Sequence, residues 1–153
     1  MPWKTILVPH DFSSCANHAA ALARDVARAT GARLILAHVA EIPTGLGADT
    51  AIVPEGGGAP IKLRDYALTS ASERLEDIAA RLRKDDMTVS ITVVMGGPVD
   101  EILRAATDAG ADLIVMGTHG RTGLRHLITG SVTEKVVRHA SVPVLTVRVP
   151  DAE

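Results

Sequence analysis

Aromatic side chains are nearly absent from this chain of 153 residues: one Trp, one Tyr and one Phe make up 2% of it. Proteins that hold single-stranded nucleic acid stack bases on aromatic platforms, and this chain has almost none to offer. Any purine pocket here must be walled by aliphatic side chains. There is no basic surplus either. Sixteen Lys and Arg stand against 18 Asp and Glu, a formal charge of −2, so nothing draws in a nucleic acid backbone or an anionic membrane surface. Cys15 is the single cysteine, which excludes an intrachain disulfide framework or a cysteine metal cluster. No apolar stretch is long enough to span a bilayer. Met1 to Lys4 with one apolar strand behind it does not read as a secretory leader, so the expected compartment is the cytoplasm.

What is present is a regular alternation. Hydrophobic residues make up 46% and charged residues 22%, the balance of a globular chain with length for one domain, residues 1–153. Thr5-Ile6-Leu7-Val8 reads as a first strand ended by Pro9. Ser13 or Ser14 caps a helix to about Thr30, with Ala16, Ala19, Ala20, Ala23, Val26 and Ala27 as its apolar stripe and Gly31 as its stop. Leu34 to Val39 is a second strand. Residues 41–60 hold three prolines and a Gly56-Gly57-Gly58 run, and read as a long mobile loop, the kind that serves as a functional lid or stays disordered. A long helix is expected over 61–84, a strand around Val89, Ile91 and Val93, and a helix over 99–109 bracketed by Pro98 and Gly110. A strand over 113–116, a helix over 132–139 and a last strand over 142–149 complete the order β-α-β-α-β-α-β-α-β.

Such alternation predicts an α/β fold: a single open parallel sheet of five strands with helices on both faces. The expected spatial order is 3-2-1-4-5, with the 2-1-3 variant as the main alternative. In the first order, strands one and four are neighbours and the chain reverses direction between them, and ligands bind outside the strand ends at such a reversal. Strand one ends in Val8-Pro9-His10-Asp11 and strand four in Met116-Gly117, so both loops would face one crevice.

The second of these loops carries the strongest signal. Gly117-Thr118-His119-Gly120 is followed by nine residues and then Gly130-Ser131. Glycines between a buried strand and a helix start let the backbone approach an anion, and the first amides of a helix lack partners within it. Ser131-Val132-Thr133-Glu134 fits a capping box, which would put the capping hydroxyl and unpaired amides beside Gly130 and Ser131 where phosphate docks. The spacing is neither a Walker A motif, since no Gly-Lys-[Ser/Thr] follows, nor the dinucleotide fingerprint G-x-G-x-x-G.

Over residues 4–149 the chain resembles the universal stress protein family. Gly117, Gly120, Gly130 and Ser131 fill that family's signature G-x2-G-x9-G-[ST]. Ile6-Leu7-Val8-Pro9-x-Asp11-Phe12-Ser13, His38-Val39, Asp112 to Met116 and Pro143-Val144-Leu145-x-Val147 match its flanks. The resemblance implies a homodimeric cytoplasmic protein that holds ATP at the crevice. It places Pro9, His10, Asp11 and Val39 around adenine and ribose, Met116, Gly117, Thr118, His119, Gly120, Arg121 and Thr122 around the ribose and first phosphates, and Gly130, Ser131 and Val132 at the outer phosphates. His10 departs from the small residue that the pattern carries there.

Each of these residues also has a plainer role open to it. Asp11 is a helix-initiating carboxylate, or a ligand to ribose, adenine or a metal such as Mg²⁺ accompanying the nucleotide. Ser131 is an N-cap, a phosphate contact, or both. Arg121 and Arg125 are solvated loop cations or contacts to the β- or γ-phosphate. His119 and His126 lack a carboxylate to complete a metal set, His38 reads as a core histidine, and Cys15 as a small packed residue rather than a reactive thiol. Residues 142–149 form a sheet edge, either covered by the chain's own helix or paired with a second copy. The expected function is an ATP-binding stress-response regulator with a protein partner not identified by the sequence. The alternatives are a slow ATPase or phosphotransferase using His10, His119 or Asp11, and a nucleotide-free interaction module.

Overall fold

Apolar runs between proline and glycine punctuation become the strands. The computed structural model describes residues 3–84, 86–119 and 130–149. Within them lie β1 (Thr5–Pro9), α1 (Ser14–Thr30), β2 (Arg33–Ala40), β3 (Ala51–Ile52), β4 (Ile61–Lys62), α2 (Leu63–Arg83), β5 (Val89–Met95), α3 (Pro98–Ala109), β6 (Leu113–Gly117), α4 (Ser131–His139) and β7 (Val144–Val147). The large sheet has five strands in the order β5-β2-β1-β6-β7, all pairings parallel. Counting only the strands of this sheet, that is the expected third-second-first-fourth-fifth.

The alternation of side chains across a strand divides the core into two layers. Ile6 and Val8, Leu34 and Leu36, and Leu113 and Val115 face one side, where they meet the alanine stripe of α1 and Leu75, Ala79 and Leu82 of α2. Leu7, Ile35, Ala37, Ile114 and Met116 face the other, against Ile102 and Ala106 of α3 and Val136 of α4. Covered on both faces, the central strands can be apolar throughout, which is why they read as continuous runs. Each fully buried Leu or Ile contributes about 1.5–3 kcal/mol relative to exposure.

The helix ends follow local chemistry. The Ser13 hydroxyl accepts from the Ala16 amide at 3.1 Å, and Gly31 closes α1 in the left-handed region at φ 77°. At the start of α2 no side chain caps the helix. Two carbonyls from the preceding segment do so instead: Leu63 N–H donates to Thr50 O at 2.8 Å and Arg64 N–H to Ala48 O at 2.9 Å. This explains the main departure from the sequence reading. Residues 51–52 and 61–62 pair antiparallel as a small ribbon inside and just beyond the expected loop, and α2 begins two residues later than expected. The last strand is also shorter than expected. Pro143 accepts from Ile114 N–H at 3.0 Å but has no N–H to return, so the ladder starts at Val144.

Candidate functional site: a crevice at the reversal of strand order

The chain reverses between β1 and β6, and a crevice of about 320 Å³ opens at their C-terminal ends. Its walls come from the β1–α1 turn (Pro9, His10, Asp11, Ala16), the end of β2 (Ala37, His38, Val39, Glu41), α3 (Pro98, Ile102), the end of β6 (Met116, Gly117, His119) and the start of α4 (Gly130, Ser131, Val132, Thr133). Ten of the residues expected from the sequence therefore line it: Pro9, His10, Asp11, Val39, Met116, Gly117, His119, Gly130, Ser131 and Val132. Thr118 is not in the wall. Gly120, Arg121 and Thr122, with Arg125 and His126, lie outside the described residues.

Sequence reasoning missed Ala16, Ala37, Glu41, Pro98, Ile102 and Thr133, and took His38 for core. His38 is indeed buried, yet it also borders the crevice. Glu41 was within reach of the sequence, since it directly follows a strand that ends beside the reversal. Pro98 and Ile102 carry no polar signal and enter only because α3 packs across the sheet face.

Thr118 stitches the loop ends together. Its N–H donates to Val147 O at 3.0 Å, and its carbonyl accepts from Gly130 N–H. The Thr133 hydroxyl, buried, donates to Gly117 O at 2.8 Å. These bonds bring the start of α4 against the end of β6. They also correct two expectations. The amide of Gly130 is occupied by the Thr118 carbonyl, so it is not among the unpaired amides expected beside Gly130 and Ser131. And the capping box does not form: Gly130 is the N-cap, with no side-chain cap bond, and its carbonyl accepts from Glu134 N–H at 2.9 Å. The helix thereby starts one residue early. Ser131 becomes its first residue, and the Glu134 carboxylate pairs with Arg138 at 2.7 Å. The amides of Ser131, Val132 and Thr133, ahead of any acceptor in their own helix, have no partner among the described residues. They are the positive end of α4, at the crevice wall.

Gly117 is needed for packing. A Cβ there would stand 2.6 Å from Cys15 Sγ, 3.1 Å from its Cβ and 3.2 Å from its carbonyl carbon. The buried Cys15 thiol donates to Val147 O at 3.4 Å, in keeping with its reading as a small packed residue. Gly130 is different. At φ −65° and ψ 156° it occupies extended space open to any residue, so a need for glycine there must come from what lies beside it.

The β1–α1 turn is bonded to itself. The Asp11 carboxylate accepts from Ser13 N–H at 3.0 Å. His10 N–H donates to Ala37 O at 2.7 Å, and His10 O accepts from His38 Nδ1–H at 2.7 Å. Phe12 N–H donates to His10 Nδ1 at 3.0 Å. An amide can only donate, so Nδ1 is the unprotonated nitrogen, and Nε2–H donates to Asn17 Oδ1 at 3.0 Å. Burial holds the His10 pKa below its ordinary value, against the opposing pull of the Asn17 bond and the Asp11 charge.

An open parallel α/β sheet with a crevice at the strand-order reversal, glycines at its lip and helix amides at its wall defines a class of small-ligand-binding domains. The model of the Universal stress protein family matches residues 2–148, and the chain belongs to that family. A universal stress protein of Thermus aquaticus is 38% identical over 153 residues, covering 95% of this chain and 99% of that one. Universal stress protein MJ0577 of Methanocaldococcus jannaschii matches more locally, 37% over 87 residues, 57% of this chain and 54% of that one. Its solved structure nevertheless superposes along the whole fold, with TM-score 0.81 and 28% identity over 99% of this chain and 100% of that one. A universal stress protein of Archaeoglobus fulgidus, solved in complex with dAMP, shares the fold at TM-score 0.65 and 24% identity, covering 95% of this chain and 98% of that one.

Proposed function

We propose that this chain is an adenine-nucleotide-binding regulatory protein of the stress response, with ATP and its Mg²⁺ as the ligand. The observation that carries the reading is that Ser131, Val132 and Thr133, whose amides have no partner among the described residues, stand in the wall of a crevice of about 320 Å³, at the lower end of the roughly 300–1,000 Å³ of ligand pockets. The signature Gly117, Gly120, Gly130 and Ser131 supports it, as does the dAMP complex of a fold neighbour. Pro9, His10, Asp11 and Val39 would surround base and ribose. Met116 and Gly117 to Thr122 would follow the ribose and first phosphates. Ser131, Val132 and Thr133 would receive the outer phosphates. No group of three metal-ligating side chains exists among the described residues. Mg²⁺ suits such a site, because it is commonly held by phosphate oxygens plus one or two carboxylates, here Asp11.

ATP acts in this reading by fixing the 117–130 loop and the 41–60 segment, and so changing a surface that a cytoplasmic protein partner reads. That requires ATP to favour one arrangement over another. A homodimer through residues 142–149 belongs to the same proposal. It is supported by β7, which among the described residues is a sheet edge paired with β6 alone, and whose Leu145 is exposed. A dedicated catalyst fits less well. Both ring nitrogens of His10 are engaged in holding the turn, and His119 Nδ1 is bonded to the Thr118 hydroxyl.

Gly130→Val tests the reading. The backbone there accommodates valine without strain, so loss of ATP binding with an intact fold means that bulk has entered the phosphate site. Unchanged ATP affinity in a folded Gly130→Val variant refutes the site and favours a nucleotide-free module.

A further inference from the structure

Alternate residues at the end of β2 line the crevice: Ala37, Val39 and Glu41. The period-2 alternation of a strand puts residues of that spacing on one face. Ala37 and Val39 belong to the layer against α3 and α4, as does Ile35 before them. Glu41 stands one residue past the strand end at Ala40 and closes the same row. The row is aliphatic until this last member, which is an exposed carboxylate. Glu41 has no hydrogen bond or ion pair among the described residues. An ionised carboxylate only accepts, so an acceptor at the rim of an apolar wall awaits a donor.

The far end of the crevice has the opposite character. Two helices start beside it, α3 at Pro98 and α4 at Ser131. The start of α3 offers little to an anion. Pro98 has no N–H, and Asp100 and Glu101 stand in its first turn, with Glu101 paired to Arg104 at 3.0 Å. The start of α4 offers the amides of Ser131, Val132 and Thr133, and the single acid of its first turn, Glu134, is paired with Arg138. An anionic tail is therefore held at α4 and repelled from Glu41. In the sheet, β1 alone separates β2 from β6. Two strand spacings of about 4.8 Å put the two ends of the crevice about 10 Å apart. With the phosphates at α4, the base lies along Ala37 and Val39 with its outer edge toward Glu41.

We propose that Glu41 selects the base of the bound nucleotide, its carboxylate accepting from an exocyclic amine such as the one at C6 of adenine. The proposal rests on the adenine-nucleotide reading above. It adds what the glycine loop cannot supply, because phosphate contacts are the same for every nucleotide. A base without the amine would cover Glu41 and leave its carboxylate without a donor, and a site built to pair with a polar group rejects the analogue that lacks it.

The test is a cycle of two proteins and two ligands, using the full chain with Mg²⁺. Wild type and Glu41→Ala are each titrated by calorimetry with ATP and with purine riboside 5′-triphosphate, which carries hydrogen in place of the amine at C6. Wild type should prefer ATP by about tenfold, the lower end of what a hydrogen bond to a charged group is worth. In Glu41→Ala the two affinities should become equal. A change in crevice shape acts on both ligands and cancels in the ratio. Glu41→Gln keeps an acceptor oxygen without the charge and should retain part of the preference. A preference of the same size in wild type and Glu41→Ala overturns the proposal and leaves Glu41 a solvated carboxylate at a strand end. So does a wild type that takes both triphosphates equally. If wild type takes up neither, the nucleotide reading itself has failed, and base selection by Glu41 falls with it.

Discussion

Gly117→Ala separates packing from ligand approach at the glycine that opens the signature. The added methyl would stand 2.6 Å from Cys15 Sγ, 3.1 Å from its Cβ and 3.2 Å from its backbone carbonyl carbon. The thiol is the end of a short side chain that already donates to Val147 O, and the carbonyl carbon belongs to the first turn of α1. Neither can retreat far without disturbing β7 or the helix. Overpacking of this kind costs about 1–3 kcal/mol. For a chain of this length each kcal/mol moves the melting midpoint by about 2–4 °C, so a drop of roughly 2–12 °C is expected. Cys15→Ala removes the closest of the three contacts. The double variant should recover part of the loss, with a coupling of about 0.5–3 kcal/mol for residues in contact. Urea unfolding of wild type, both single variants and the double variant closes the cycle. Gly117→Ala as stable as wild type, or a cycle with no coupling, would show that the Cys15 contact does not constrain this position.

Further outcomes follow from the same contacts. Ser131→Ala should change stability by less than about 0.5 kcal/mol, because Ser131 is not the cap; a loss near 1 kcal/mol in urea unfolding would restore the capping box. Thr133→Val breaks the buried bond to Gly117 O and should cost about 1–3 kcal/mol by the same assay. The His10 pKa lies below its ordinary value of 6.5 in the folded chain, so the unfolded chain binds more protons as pH falls past that value. Stability should therefore be fully present above pH 6.5, decline as pH drops through it, and level off below the folded pKa. Denaturation midpoints across pH should show this slope in wild type, with a shallower one in His10→Asn. Saturating ATP should slow amide exchange in the 41–60 segment; unchanged exchange there removes that segment from the response.

The strands were readable because burial on both faces leaves little room for polar residues in Ile6 to Val8, Leu34 to Ala37 or Leu113 to Met116. Helix ends were readable where the signal is local, as at Ser13 and Gly31. They were misread where the partner is distant. The cap of α2 is a pair of carbonyls at Ala48 and Thr50, and no spacing rule points to them, so a proline- and glycine-rich stretch read as loop throughout. The start of α4 was misplaced by one residue because Thr118, across the loop, fixes Gly130. Glycine at 117 looked like an opening for phosphate, yet its nearest neighbour is a thiol 102 positions earlier in the chain. The crevice itself was half visible: the glycine signature marks one lip, but Pro98 and Ile102 reach it through packing alone.

Amide chemical-shift mapping with Mg·ATP tests the central claim most directly. Binding at the start of α4 predicts that the largest perturbations fall on the Ser131, Val132 and Thr133 amides, with Asp11 and Val39 moving in the same saturable titration. Saturable shifts confined to other surfaces, or no shifts at millimolar ATP, would contradict it.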